Sequence, residues 1–242
     1  MNSWRLKEMT SREVREAISA RPRLLVPVGT TEEHGPHLPL GCDTFIIERL
    51  ADDLARQFQI PRTPTVEYGV NATSVKAFPG SACLRRKTLH RLMNELIECW
   101  EIGANVREFI ILTAQGHEPH QEALSTIRVA DSRVQVVDIF AMDFGDLLQH
   151  PLGPIHGGEL DTSLMLYIAP ELVRMDSAID FGRADQLALG YRRGESRPLP
   201  IDSPGSVGFP SLASAQKGER LYRFIVERVA HRCLESSAGA SD

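Results

Sequence analysis

Apolar residues along this chain follow two alternating patterns: short continuous runs, and longer stretches in which they recur every three or four positions. The runs "RLLVPVG" (23–29), "TPTVEYG" (63–69), "EFIILTAQG" (108–116) and "VQVVDIF" (134–140) have strand length and composition. The longer stretches read as helices. "TSREVREAISA" opens on Thr10 or Ser11 as a candidate N-cap. "DTFIIERLADDLARQF" places Ile46, Ile47, Leu50, Leu54 and Phe58 at helical spacing behind Asp43, a natural N-cap. "TLHRLMNELIECWEIGA", "HQEALSTIRVA", "ELDTSLMLYIA" and "ASAQKGERLYRFIVERVAHRCLE" complete the set, with Gly218 the weak point of the last.

Strands that alternate with helices of this length imply βαβ crossovers and a mostly parallel sheet covered on both faces, an α/β class. With 242 residues and no linker, repeat or low-complexity tract, residues 1–242 are expected to form a single domain. In such sheets ligands sit beyond the carboxyl ends of the strands. Three polar segments occupy those places: "VGTTEEHGPHLPLGCDT" (28–44), "QGHEPH" (115–120) and "HPLGPIHGGELD" (150–161).

Composition narrows the function classes. A net charge of −5 without a Lys/Arg-rich block gives no footprint for nucleic acid. The apolar runs are too short to span a membrane, and the N-terminal segment does not read as a signal peptide. Cys42, Cys83, Cys99 and Cys233 show neither a Cys-x-x-Cys pair nor disulfide-like spacing, which suits reduced thiols in a cytoplasmic protein. The dinucleotide, P-loop and serine-hydrolase signatures are missing.

The chemistry lies in the three polar segments, which hold six of the eight histidines. Glu32 and His34, two apart, point the same way if the backbone is extended. Asp43 adds a carboxylate, His117 a second imidazole, and His156, Glu159 and Asp161 add more. Imidazole and carboxylate without thiolate suit zinc, manganese or iron(II). Taken singly, each has a plainer reading: a solvated loop histidine, a helix cap, a helix start. Cys42 reads as a small packing residue beside the site, and His90 and His231, on helix faces, are given no function.

"PVGTTEEHGPHLPLGCDT" resembles the signature of the creatininase family of metal-dependent amidohydrolases, whose pattern is close to PxGSxEQHGPHLPLxTD. "FPGS" (78–81), "QGHEPH", "HGGELDTSLML" (156–166) and "GFPSLASAQKGERL" (208–221) extend the likeness over nearly the whole chain. The resemblance implies a three-layer α/β/α sandwich, two divalent metal ions and a homohexamer. It also implies that activated water hydrolyses non-peptide C–N bonds in small or cyclic amides, lactams or formamides. By motif, Glu32, Asp43 and His117 would hold one ion and His34 the second, with Asp43 bridging. His156 would carry the proton, and Glu159 is placed with it among the catalytic residues.

Two departures bear on the second ion. Pro119 stands where creatinine-cleaving members have a glutamate, and Asp161 stands where the pattern has a longer acid. The second ligand is then Asp161, with Glu159 or Glu118 as alternatives. His120 replaces an asparagine, and with Glu118 it is a candidate for binding substrate. No aromatic residues that would enclose creatinine are evident near residues 150–158, so creatinine itself is disfavoured. The loops 71–77 and 192–206 are expected to shape the pocket. Two alternatives stay open: a peptidase-like trimmer of a cofactor-precursor peptide, and a catalytically idle metal-binding protein.

Overall fold

The computed structural model describes residues 3–72, 77–150, 156–181 and 203–235. Helix α1 (Ser11–Ala20) starts with a capping box: Glu13 N–H donates to Thr10 Oγ1, and Thr10 N–H donates to the Glu13 carboxylate. Strands β1 (Arg23–Val28), β2 (Glu108–Thr113) and β3 (Arg133–Asp138) form a parallel sheet in that order. Leu24 pairs with Phe109, and Phe109 in turn with Val134, so equivalent residues share a face across all three strands.

Both faces are apolar, which is why these strands read as continuous hydrophobic runs. Leu25, Ile110, Leu112 and Val137 enter one core with α2 (Cys42–Phe58), α5 (Glu159–Ile168) and α6 (Ala215–Val229). Leu24, Val26, Val28, Phe109 and Ile111 enter the other with α1, α3 (Arg86–Ala104) and α4 (Glu118–Ser125). Each large aliphatic side chain so buried contributes roughly 1.5–3 kcal/mol. The architecture is the three-layer α/β/α sandwich. Among the described residues, no helix is long and apolar enough to cross a membrane.

Three expectations are corrected. "TPTVEYG" forms no strand; it follows β1 in parallel through isolated bridges at Arg62 and Val66, because Pro61 and Pro64 lack the N–H a ladder needs. Helix α2 is capped at Gly41, so Asp43 lies inside the first turn and its carboxylate is committed elsewhere. Helix α4 ends at Ser125, short of Ala130, and begins two residues earlier than the pattern implied. Gly218 has a packing reason: a Cβ there would run into the Ser163 carbonyl, where α6 crosses α5.

Candidate metal centre

The loop after β1 delivers the first donors. Gly29 sits so close to α2 that a Cβ would clash with the Thr44 side chain, and Thr44 Oγ1 donates to the Thr30 carbonyl at 2.9 Å. That contact fastens the end of β1 to the first turn of α2 and brings Asp43 to the loop. Thr30 Oγ1 donates to Asp43 Oδ2. Asp43 is buried, and so are Glu32 and His34.

The two histidines at the centre share one arrangement. His34 Nδ1 lies 3.1 Å from the Glu32 carbonyl, which only accepts, so the proton is on Nδ1; Nε2 then faces Asp43 Oδ1 at 3.1 Å. His156 Nε2 donates to the Glu33 carbonyl at 2.7 Å, leaving Nδ1 3.5 Å from Glu32 Oε1. Each ring is fixed by a backbone carbonyl and turns its other nitrogen toward a buried carboxylate. The rings themselves lie 4.2 Å apart, centroid to centroid. A nitrogen lone pair opposite a carboxylate is repulsive unless a proton or a metal ion lies between them. Burial opposes charge on His34, but Asp43, Asp161 and Glu32 outweigh it and hold its pKa well above the ordinary value. Burial and His34 likewise oppose charge on His156, and Glu33 and Glu32 raise its pKa overall.

Among the described residues, two groups each hold donor atoms that lie within 4.8 Å of one another: Glu32, His34 and His156, and His34, Cys42 and Asp43. Imidazole and carboxylate donors of this kind fit a divalent transition-metal ion. Asp161 belongs to the same neighbourhood. Its Oδ2 accepts the Gly157 N–H at 2.7 Å, and burial, with Asp43 adding to it, pushes its pKa up to about 6. His117, buried at the N-cap of α4, follows β2 on the adjoining strand end, but neither tight group includes it.

Other expected residues lie elsewhere. The Glu159 carboxylate accepts the backbone N–H groups of Gln149 and His150 and pairs with Lys217, so in this structure it fastens those two residues to the start of α5. His120 is buried beneath the centre: Val70 N–H donates to its Nδ1 at 3.1 Å, and Nε2–H donates to Thr113 Oγ1 at 3.1 Å. Burial pushes its pKa down to about 3, which keeps the imidazole neutral, with both ring nitrogens engaged within the chain. Glu118 is exposed on the first turn of α4. Residues 73–76 and 192–202 of the two expected pocket loops lie outside the described residues.

Glu33 was missed. It is buried, accepts the Gly35 N–H at 3.0 Å and lies 3.6 Å from His156 Nε2. The signal was available, since the quoted family pattern has Gln there. Cys42 is fully buried with its thiol pKa pushed up by burial and the neighbouring acids, which suits a packing residue touching the donors better than a nucleophile.

Known proteins share this arrangement of chain and fold. The family model described as "Creatininase: Creatinine amidohydrolase" matches residues 7–233. A mycofactocin precursor peptide peptidase of Mycolicibacterium smegmatis is 30% identical, over 92% of this chain and 87% of its own. A 3-dehydro-scyllo-inosose hydrolase of Thermotoga maritima is 26% identical, over 91% and 83%. A solved structure described as "Creatininase Mn" superposes with a TM-score of 0.76 at 24% identity, covering 95% of this chain and 97% of that one.

Proposed function

The chain belongs to the creatininase family, and from that premise we propose that it hydrolyses a non-peptide C–N bond of a small amide, lactam or formamide at a two-metal centre. Glu32, Asp43 and His117 would hold one ion, and His34 with bridging Asp43 the other, completed by Asp161. Zinc, manganese or iron(II) bound there would acidify a water and polarise a carbonyl. The observation that carries this reading is the pair of histidines, each held by a backbone carbonyl and aimed at a buried carboxylate.

The chain's own groups handle the proton. With Nε2–H held by the Glu33 carbonyl, Nδ1 of His156 is the ring atom turned toward Glu32. From there it takes a proton from the attacking water and returns it to the leaving nitrogen. Burial and His34 oppose charge on the ring while Glu33 and Glu32 favour it, so the groups around His156 act on both of its protonation states. Glu159, tied to Lys217, joins the start of α5 to Gln149 and His150. Assembly as a homohexamer, as the resemblance implies, is part of the same proposal.

A second reading is peptide hydrolysis, favoured by the 30% identity to a peptidase. One panel separates the two: creatinine, lactams, formamides and short peptides, assayed with the wild type and Asp43→Asn. Turnover of a small amide that Asp43→Asn abolishes without loss of fold supports the first reading. Turnover of peptides alone supports the second, and full turnover by Asp43→Asn refutes the ligand assignment.

A further inference from the structure

The opposite edge of the sheet, where the strands begin, carries a second concentration of charge. Arg23, Glu108 and Arg133 are in-register neighbours across β1, β2 and β3 and therefore share one face. One carboxylate serves both guanidinium groups: Glu108 Oε2 accepts from Arg23, and Oε1 pairs with Arg133 at 2.8 Å. Arg107 and Arg21 complete the basic lining of a cavity of about 540 Å³, with Pro22 and Leu234 supplying apolar wall. Among the described lining residues, four guanidinium groups stand against one carboxylate, the reverse of a chain whose net charge is −5.

Structural duties account for only part of this charge. Arg21 donates to the Phe58 carbonyl at the end of α2, and Arg23 to the carbonyls of Cys233 and Leu234. Arg107 has no such anchor described beyond Asp131 at 3.8 Å, and the two side chains are 49% and 80% exposed. An ion pair that open contributes little. Arg133, 59% exposed, shares its acid with Arg23. Two half-exposed guanidinium forks thus stand over a cavity of small-ligand size, one sharing Glu108 with Arg23 and the other, among the described residues, facing only the open Asp131 in an ion pair.

We propose that this cavity binds a phosphorylated small molecule, the phosphoryl group held by Arg107 and Arg133. Guanidinium forks match phosphate oxygens two at a time, and a doubly charged anion offsets the surplus better than a carboxylate does. The cavity has room beyond the phosphate, which points to an ester of nucleotide size. Six residues of strand, about 17 Å, separate it from the candidate metal centre, so it is a second site.

Titration calorimetry of the full chain with ADP, and separately with inorganic phosphate, tests this. Saturable binding is expected, weakened by about tenfold or more in Arg107→Ala/Arg133→Ala and in Arg107→Glu, and retained in Asp43→Asn, which leaves this edge intact. ADP binding more tightly than phosphate assigns an ester; equal affinity assigns free phosphate, and either keeps the site. No saturable binding of either probe at millimolar concentration, or affinity unchanged in both arginine variants, overturns it. Binding lost in Asp43→Asn but kept in the arginine variants moves the anion to the metal centre and also overturns it.

Discussion

Nε2 of His34 lies 3.1 Å from Oδ1 of Asp43, while Nδ1 of the same ring is held at 3.1 Å by the Glu32 carbonyl. A buried imidazole fixed in that tautomer cannot donate to Asp43 unless it takes up a second proton. A divalent ion resolves the same conflict without one.

Metal binding should therefore stabilise the fold. At free metal a hundredfold above the dissociation constant, the gain is about 2.7 kcal/mol. A chelator-treated sample should melt lower than one reloaded with zinc or manganese, and Asp43→Asn should lose most of that difference. Melting curves that coincide with and without metal would count against the ligand set.

Lys217 and Glu159 form a buried ion pair, with side chains 9% and 3% exposed. Lys217→Met leaves the carboxylate without its cation and should cost about 3–5 kcal/mol in denaturant unfolding. Glu159→Gln/Lys217→Met should cost clearly less than the sum of the single changes, since the second removes the charge the first strands. Additive costs would mean the two groups do not act together.

Gly218→Ala separates packing from helix propensity. Alanine favours an exposed helix by about 1 kcal/mol over glycine. Here the added methyl meets the Ser163 carbonyl, so a net loss of about 1–3 kcal/mol is expected from overpacking. A stabilised variant in thermal melts would show that α5 and α6 can separate at little cost.

Asp52 links acid pH to stability. Burial opposes its ionisation, but Arg5 and Arg62 outweigh it and hold its pKa below the ordinary value. The unfolded chain then binds the proton more readily. The stabilisation is fully present above the unfolded pKa of about 3.9 and fades as pH falls through the lower folded value. Unfolding curves from pH 6 downward should show wild type and Asp52→Asn converging in acid; a constant gap would exclude the linkage.

Much of this was legible in the sequence. The strands at 23, 108 and 134 and the helices were marked by period, and the donors by dense polar segments after strands. What escaped depended on partners distant along the chain. Asp43 looks like a cap until Thr30 and His34 claim its carboxylate. Nothing local to Glu159 announces Lys217, 58 residues on, as the partner of its carboxylate. His120 looks available until Val70 and Thr113 take both ring nitrogens. Local pattern reports the spacing of residues, not which of them is already engaged.

Metal content per chain is the most direct test of the centre itself. Protein purified without chelator, analysed for zinc, manganese and iron, should carry about two equivalents, falling to about one or fewer in Asp43→Asn, where the bridging carboxylate is lost. Wild-type protein that holds no metal, and takes up none when zinc or manganese is added, would contradict the two-metal centre.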